Sequence, residues 1–356
     1  MEKVVYFLGA GFSAPLGIPV MKNFFEKSKD MYFNDKEKYK HFLQVINTFN
    51  EYNLIKSFYE SNLFNIEELL SILEMSERFE RSKLKKIFLQ YISDVISFYT
   101  PPLEYERKSL ASVRASLEQS GKWNGYIMFI AALLNLEFNL ETIMTSKGEA
   151  LRLPRFYPSN DSKYEYGIIS LNYDLVIEKC INHLNNFKID KNLSISRFPV
   201  SEKNPRGDLF LSKLHGSIDD QSIVPPTWNK SLKSEIKDYW NLASQLLKEA
   251  NHIRFIGYSL PDSDAYVKYL LKSSITTEQH LKSIDVICYD PDGSVKKRYD
   301  QFIVFPNYNF ISEKTQSYLE AGLGSQKRYN RGGRDFEYWA YDNLETHHKR
   351  FIDAHS

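Results

Sequence analysis

The chain has 356 residues, of which 42% are hydrophobic and 26% are charged, a composition typical of a globular protein long enough for about two domains. The formal net charge is +1, so no strong electrostatic field favours nucleic acid or an anionic membrane as a partner. The two cysteines, Cys180 and Cys288, exclude a disulfide framework and a four-thiolate zinc site within one chain. We expect both thiols to be buried packing groups.

The start of the chain bears on its location. It begins directly with a predicted strand, without the basic residues and apolar stretch of a secretory signal. No apolar run approaches the roughly 20 residues that span a bilayer. We therefore expect a cytoplasmic protein with no membrane partner.

A strand followed by a glycine-rich turn is predicted at the start of the chain. The apolar run Val4–Leu8 leads into GAGFS (9–13) and then GIP (17–19). A strand that ends in such a turn and opens a helix is a common way to hold the phosphates of a dinucleotide. We expect Gly9 and Gly11 to adopt backbone angles closed to other residues and to let the main chain approach the ligand. A plain turn is the alternative.

The next part of the chain, from about residue 21 to about residue 160, has helical patterns. The clearest is Phe64–Tyr99, where apolar residues recur at helical spacing, and Lys122–Glu137 is a second strong candidate. Asn65, three positions before Glu68, resembles a capping arrangement at a helix start. A dehydrogenase would instead have a second strand ending in an acidic residue about 20 residues after the turn. The helical insertion therefore argues against hydride transfer.

Strand patterns return near residue 165 and alternate with helical ones, which predicts a mostly parallel sheet with helices on both faces. The predicted strands are Tyr166–Leu171, Asp208–Leu214, Ile253–Tyr258, Ile284–Tyr289 and Phe302–Phe305, and the helices between them are Leu175–Asn185, Leu232–Ala250 and Ala265–Lys272. We predict an α/β fold, a Rossmann-like doubly wound parallel sheet with a large all-helical insertion after the first strand and helix. The expected units are residues 1–22 with 165–310 as the catalytic domain, 23–164 as the insertion, and 311–356 as a helical tail around a mobile loop.

Polar and small residues follow the predicted strands at their carboxyl ends. In an open parallel sheet, ligands bind beyond these ends, so the residues are expected to meet at one site. The candidates are Gly9, Ala10, Gly11, Ser13, Asn172, Asp174, His215, Gly257, Ser259 and Asp290.

These motifs resemble those of the sirtuins. GAGFSAPLGIP matches the sirtuin opening with the same spacing, and LNYD (171–174) resembles the asparagine-x-aspartate motif. HG (215–216) resembles the catalytic histidine-glycine, and GYSL (257–260) resembles the ribose and phosphate loop. The segments GYSLPDSDAY, NIEELL and IVPPTWNK are closer to the sirtuin-like effectors of bacterial anti-phage defence than to deacetylases. The resemblance implies a Rossmann-like, sirtuin-like domain that binds NAD⁺.

Three departures from the sirtuin pattern bear on the reaction. The four-cysteine zinc module of deacetylating sirtuins cannot be built here, residues 20–22 read VMK in place of aspartate, phenylalanine and arginine, and Leu171 replaces a glutamine. These changes affect the parts that admit acyl-lysine and handle nicotinamide, and they leave the parts that bind NAD⁺ and attack its ribose. The resemblance therefore implies cleavage of NAD⁺, as the substrate and with no metal, to nicotinamide and ADP-ribose.

The residue types suggest a role for each side chain in that reaction. Asn172 has both a donor and an acceptor and would orient a water or a ribose hydroxyl. His215 would take a proton as general base. Asp174 would orient the ribose or stabilise developing positive charge. Ser13 and Ser259 would hydrogen-bond phosphate or nicotinamide-side groups.

Each assignment has a structural alternative. His215 could be a structural histidine, and Asn172 or Asp174 could cap the helix that follows. Asp290 would accept the adenosine ribose hydroxyls, or it could belong to a turn. The run Asp262–Asp264 is interpreted as cap and turn residues before the next helix and is left out of the site.

Other function classes stay open. The pocket could sense NAD⁺ or ADP-ribose as a non-catalytic regulatory module, or the protein could be a protein ADP-ribosyltransferase or a deacylase. An enzyme that depletes the NAD⁺ of its cell must be kept inactive, and the tail leaves no room for a sensor domain. We therefore expect control through homo-oligomerisation, a separately encoded sensor or activator protein, or both, with no direct nucleic-acid binding.

Overall fold

A parallel β-sheet lies at the centre of the protein. The computed structural model describes residues 1–52, 55, 58, 66–75, 84–103, 121–144, 150–159, 162–186, 192–201, 206–220, 222–224, 234–275, 280–322, 325–331, 334–340 and 343–356. The strands are β1 (Glu2–Leu8), β2 (Leu136–Met144), β3 (Ala150–Pro158), β4 (Tyr164–Ser170), β5 (Ile195–Ser196), β6 (Leu209–Lys213), β7 (His252–Ile256), β8 (Ser283–Ile287), β9 (Tyr308–Ile311), β10 (Ser325–Arg331) and β11 (Arg334–Ala340). Within these ranges, seven strands form one sheet in the order β5-β6-β4-β1-β7-β8-β9, and all its neighbours pair in parallel.

Helices cover both faces of this sheet. They are α1 (Ala10–Ser13), α2 (Met21–Asn34), α3 (Phe42–Tyr52), α4 (Ile66–Met75), α5 (Leu84–Tyr99), α6 (Asn124–Leu133), α7 (Val176–Leu184), α8 (Ser234–Glu249), α9 (Ala265–Ile275), α10 (Ser294–Phe302), α11 (Thr315–Ala321) and α12 (Leu344–His355). Val4, Tyr6 and Leu8 of β1 belong to the hydrophobic cluster that contains the insertion helices, whereas Val5 and Phe7 belong to the cluster on the other face. This alternation follows from the two-residue period of a strand buried on both faces. The predicted doubly wound α/β fold is confirmed.

The order of the strands fixes where a ligand can enter. The chain extends from β1 through β4 and β6 on one side, and later through β7 and β8 on the other. The connection from β6 to β7 therefore crosses back over β4 and β1, so strands are added in opposite directions on the two sides of β1 and a crevice opens beyond its carboxyl end. The last helix of the insertion, α6, packs beneath this region, with the Tyr6 and Phe129 rings 5.1 Å apart.

The insertion is not all helical. The strands β2 and β3 pair antiparallel from Leu136 with Pro158 to Met144 with Ala150. The helix predicted over Lys122–Glu137 ends at Leu133, and Asn135 has a positive φ of 53°. The sequence from 136 to 141, LEFNLE, alternates apolar and polar residues, which is a strand pattern that the helical prediction overlooked. Asn65, the predicted cap, lies outside the described residues.

Two further predictions of secondary structure are wrong. The last strand of the sheet is Tyr308–Ile311, not Phe302–Phe305, because Phe302 ends α10 and Val304 is 98% exposed. The tail is not only helical, since β10 and β11 form an antiparallel pair between α11 and α12. The sequence has a Gly-Gly pair between these two strands, which is a hairpin signal. No described helix is both long and apolar enough to cross a bilayer.

A row of polar side chains, buried except for the half-buried Asn309, crosses the face of the sheet beneath α12. Tyr6, Arg254, Asp285 and Asn309 are register partners on β1, β7, β8 and β9. Arg254 donates from Nη1 to the Tyr6 hydroxyl and to Glu345 Oε1, both at 2.8 Å, and from Nη2 to Glu345 Oε2 at 2.5 Å. Since Glu345 lies in the first turn of α12, this ion pair attaches the end of the chain to the centre of the sheet.

A second group of contacts joins α12 to α11. The Tyr318 hydroxyl lies 3.1 Å from the Tyr6 hydroxyl and 3.1 Å from His348 Nδ1, and His348 Nε2 lies 3.2 Å from Asp285 Oδ2. His347 Nε2 lies 3.0 Å from the main-chain oxygen of Tyr318. The tail helices are therefore held against the sheet by polar contacts as well as by packing.

We expect the stability of the fold to fall as the pH falls from 7 to 5. Burial, together with the charge of Arg254, lowers the pKa of His348 from 6.5 to about 4. The unfolded chain therefore binds a proton at a pH at which folded His348 stays neutral, which favours unfolding by about 2 kcal/mol at pH 5 relative to pH 7. Urea titrations at the two pH values measure the difference. His348→Gln should reduce the difference by about that amount, and an unchanged pH dependence in that variant would contradict the assignment.

Candidate functional site

A cavity of about 830 Å³ opens beyond the carboxyl ends of the parallel strands. Its volume lies within the range of about 300–1,000 Å³ that is usual for small-molecule sites. All ten residues proposed from the sequence line it: Gly9, Ala10, Gly11, Ser13, Asn172, Asp174, His215, Gly257, Ser259 and Asp290. The fold therefore brings together residues that are separated by up to 281 positions in the chain, the distance from Gly9 to Asp290.

The glycines of the site have a different role from the predicted one. Gly9 has a φ of −102° and Gly11 lies within α1, so the prediction of unusual backbone angles at these two residues is wrong. A Cβ on Gly9 or Gly11 would lie 2.6 Å or 2.8 Å from the Gly257 oxygen, and a Cβ on Gly257 would lie 2.4 Å from the Gly11 carbonyl carbon. The absent side chains let the turn after β1 pack against the turn after β7, main chain to main chain. The Gly11 amide donates to the Gly257 oxygen at 2.9 Å.

The side chain of Asn172 is held by the same turn. Its Nδ2 donates to the main-chain oxygen of Gly9 at 2.9 Å and to Ser13 Oγ at 3.2 Å, and its main-chain amide donates to Ser170 Oγ at 3.1 Å. Among the described residues, Oδ1 of Asn172 has no hydrogen-bond partner. No cap contact joins Asn172 to α7 in this part of the structure. The amide orientation therefore leaves an acceptor in the wall of the cavity.

Asp174 lies just before α7 and in the wall of the cavity. Its Oδ1 accepts from the main-chain amide of Val176, the first residue of α7, at 3.0 Å, while the N-cap residue is Leu175, which makes no side-chain cap contact. Burial raises the pKa of the carboxyl, against the opposing charge of Lys213 and a hydrogen bond from Ser13. Lys213, on β6, is a buried residue that the sequence prediction missed, and its Nζ lies 3.2 Å from Glu178 Oε1.

His215 stands at the end of β6, where a tight turn begins. Gly216 has a φ of +80°, and a Cβ there would lie 2.0 Å from the main-chain oxygen of Ser222, so this glycine is required by the turn. The His215 side chain is only 2% exposed, and its Nε2 lies 3.6 Å from Asp264 Oδ1. The imidazole is therefore part of the cavity wall and lies next to a carboxylate.

Asp264 is the main residue of the cavity that the sequence prediction missed. It ends the short 3₁₀ helix Asp262–Asp264, in a segment that was interpreted as cap and turn residues. Its carboxylate is buried and accepts from the Tyr258 hydroxyl at 3.1 Å. The sequence holds no signal for this role, because Asp262 has the same residue type in the same turn and faces solvent.

The far end of the cavity is lined by the segment after β8. Asp290 Oδ1 accepts from the amide of Val295 at 3.1 Å and Oδ2 from the amide of Lys296 at 2.8 Å, so this carboxylate holds the start of α10. Each oxygen retains further lone-pair capacity. The main-chain oxygen of Ser259 accepts from Arg298 Nε at 3.0 Å, which joins the two loops.

The tail also contributes to the cavity, which the sequence prediction did not anticipate. Lys314, Thr315 and Gln316 line it, and the Thr315 hydroxyl donates to the main-chain oxygen of Gly11 at 2.9 Å. The Lys314 ammonium lies 5.5 Å from the centre of the exposed Tyr289 ring. The start of α11 is therefore anchored to the glycine-rich turn.

The two cysteines are buried, as expected, and Cys288 reaches the cavity wall. Burial raises the pKa of the Cys288 thiol to about 12, which keeps it protonated and a poor nucleophile near neutral pH. In the part of the chain that the structure describes, no group of three or more histidine, cysteine or acidic side chains is arranged to hold a metal ion.

Comparisons with known proteins assign part of the chain. A crystal structure of Sir2 in complex with the inhibitor EX-527, 2'-O-acetyl-ADP-ribose and a deacetylated p53 peptide aligns over 90% of this chain and 92% of that chain, at 13% identity and a TM-score of 0.30. No curated protein matches the chain. A family model described as SIR2-like domain matches residues 167–310. The chain therefore carries a SIR2-like domain over the residues that supply Asn172, His215 and Ser259 to the cavity.

Proposed function

We propose that this protein is an NAD⁺ glycohydrolase that cleaves NAD⁺ to nicotinamide and ADP-ribose. The observation that carries the proposal is the convergence of Asn172, Asp174 and His215 in one cavity beyond the carboxyl ends of a parallel sheet. These residues lie in the SIR2-like region, and the glycine-rich turn after β1 completes the cavity. A site that only binds NAD⁺ needs neither a general base nor an amide poised to orient a nucleophile.

The chemistry of the bond sets what the residues must do. The bond between nicotinamide and ribose breaks through an oxocarbenium-like transition state, so the site must hold the ribose and position one water. The Oδ1 of Asn172 would accept a hydrogen bond from that water or from a ribose hydroxyl, because its Nδ2 is already bound to Gly9 and Ser13. The buried Asp174 carboxylate, when ionised, would stabilise positive charge on the ribose.

The other lining residues suit the remainder of the substrate. The pyrophosphate is anionic, and the cavity is lined by the cationic side chains of Lys22 and Lys314. Ser259 would donate to phosphate or nicotinamide-side groups, whereas the hydroxyl of Ser13 donates to Asp174 and accepts from Asn172 and so holds these two side chains. Asp290 would accept from the adenosine ribose hydroxyls in addition to capping α10.

We further propose that NAD⁺ cleavage depletes the host cell of NAD⁺ as part of anti-phage defence. The support is the resemblance of GYSLPDSDAY and its companion motifs to sirtuin-like defence effectors. Control would come from homo-oligomerisation, a separately encoded activator, or both. The cellular test measures NAD⁺ in infected cells that express the wild type or Asn172→Ala, and equal NAD⁺ levels in the two would contradict the proposal.

Purified protein incubated with NAD⁺ is expected to release nicotinamide and ADP-ribose, which chromatography quantifies. Asn172→Ala and His215→Ala should each lower kcat by about 10²–10⁴-fold, because each removes a group that acts in the transition state. Asn186→Ala and His280→Ala change exposed residues of the same types and should leave the rate unchanged.

Three other outcomes would contradict this assignment. NAD⁺ that binds the wild type and is recovered intact favours the non-catalytic regulatory module. Transfer of labelled ADP-ribose to protein favours a protein ADP-ribosyltransferase, and release of an acyl group from acyl-lysine favours a deacylase. Equal cleavage by the wild type, Asn172→Ala and His215→Ala would show that the site residues are wrongly chosen.

A further inference from the structure

Asp264 is a buried acidic residue of the cavity wall to which the proposed mechanism gives no role. Its side chain is 4% exposed, Oδ1 lies 3.6 Å from His215 Nε2, and Oδ2 accepts from the Tyr258 hydroxyl at 3.1 Å. We propose that Asp264 is a positioning residue that orients the His215 imidazole, fixes its tautomer and stabilises the imidazolium formed during the reaction. This inference rests on the proposed NAD⁺ hydrolysis at the same site.

A comparison of the two aspartates in this turn distinguishes the positioning role of Asp264 from ordinary capping. Asp262 is 90% exposed and pairs with Lys268 Nζ at 2.7 Å, as a solvated turn residue does. Asp264, two positions later, faces inward and meets groups from other parts of the cavity wall. Burying a carboxylate is costly unless polar or charged partners compensate for the lost water. The buried carboxylate of Asp264 therefore depends on its partners in the cavity wall, the His215 imidazole and the Tyr258 hydroxyl.

The position of the carboxylate determines the state of the imidazole. A proton on Nε2 would point toward Asp264 Oδ1, which makes Nδ1 the nitrogen that accepts a proton. The distance of 3.6 Å exceeds that of a hydrogen bond, and such contacts often tighten only when the substrate is bound. The Tyr258 hydroxyl holds the other carboxylate oxygen and so limits rotation of the Asp264 side chain.

The proton balance of the reaction shows where the carboxylate acts. The water oxygen bonds to the ribose carbon as the bond to nicotinamide breaks, and nicotinamide leaves as a neutral molecule with the bonding electron pair. The water proton passes to His215, which becomes an imidazolium opposite Asp264. A nearby carboxylate favours this charged form, and the proton is then released to solvent.

The experiment compares Asp264→Asn and Asp264→Glu with Asp262→Asn in the full-length protein. Asp264→Asn keeps the size of the side chain but removes its charge, and we expect kcat for NAD⁺ cleavage to fall by about 10²-fold with KM changed by less than about threefold. Asp264→Glu should restore part of kcat, and Tyr258→Phe should lower it by a smaller factor. Asp262→Asn should leave both constants unchanged.

A second readout does not depend on catalysis. The chain has eight histidines, so ¹⁵N-histidine labelling gives a spectrum in which His215→Gln identifies the His215 signals. We expect these ¹⁵N shifts to report the tautomer protonated on Nε2 in the wild type and a mixture of tautomers in Asp264→Asn. Unchanged shifts and unchanged kcat in Asp264→Asn would overturn the inference. If the wild type leaves NAD⁺ intact, the proposed hydrolysis fails, whereas a shift change in Asp264→Asn would still support the pairing.

Discussion

Replacement of Arg254 by leucine is expected to lower the free energy of unfolding by about 3–5 kcal/mol. The Arg254 side chain is 3% exposed and donates to both carboxylate oxygens of Glu345. Without the guanidinium, Glu345 keeps a largely buried charge that has lost its cation, and the Tyr6 hydroxyl loses a donor. The loss of a partner, rather than the strength of the pair itself, makes this effect large.

Urea titration of three variants tests this account. Arg206→Leu breaks the pair between Arg206 and Glu165, which lies at the surface, and should cost less than about 1 kcal/mol. The double change Arg254→Leu with Glu345→Leu should recover much of the stability lost in the single variant, because no unpaired charge remains. A single variant as stable as the wild type would show that the ion pair does not hold α12 to the sheet.

Replacement of Gly257 by alanine is expected to lower the free energy of unfolding by about 2–5 kcal/mol. The new methyl group would lie 2.4 Å from two main-chain atoms of the turn after β1, the Gly11 carbonyl carbon and the Phe12 nitrogen. The backbone at Gly257 also has a φ of +63°, which an L side chain rarely adopts. Both turns line the cavity, so the shift that relieves the overlap should also weaken NAD⁺ binding.

Gly293→Ala is the matched control for this substitution. Gly293 has a similar φ of +74°, but nothing lies within 4 Å of an added Cβ. The control should cost only the backbone strain, about 1–2 kcal/mol. The difference between the two variants in urea titration measures the contact between the turns. Equal losses would mean that the turns move apart at no cost and that the close packing of Gly11 with Gly257 is unimportant.

The local pattern of apolar residues was sufficient to predict most strands of the central sheet. The apolar runs near Val4–Leu8, Tyr166–Leu171 and Ile253–Tyr258 correspond to β1, β4 and β7, because strands buried on both faces leave continuous apolar sequence. The edge strand Tyr308–Ile311 was missed. It pairs with one neighbour and is only partly buried, so its sequence is less apolar than the preceding run Phe302–Phe305.

The residues of the candidate site could be predicted from the sequence, but the contacts that hold them could not. All ten residues chosen from strand ends line one cavity, since the carboxyl ends of parallel strands meet at the same edge of the sheet. The reason for Gly9 and Gly11 was not predictable, because it depends on Gly257, which is about 250 residues away in the chain. Asp264 and Thr315 were missed because their contacts, with His215 and with Gly11, also join segments that are distant in the chain.

The sequence by itself determined the α/β class and the residues that follow each central strand. These features depend on local periodicity and on residue types next to strand ends, which are written in short stretches of chain. Only the tertiary structure decided which polar groups face each other. Three contacts join distant segments in this way. They are the approach of Asp264 to His215, the packing of the turn at Gly11 against the turn at Gly257, and the buried pair of Arg254 with Glu345. Such contacts depend on strand order and on packing across the sheet, which no short stretch of sequence contains.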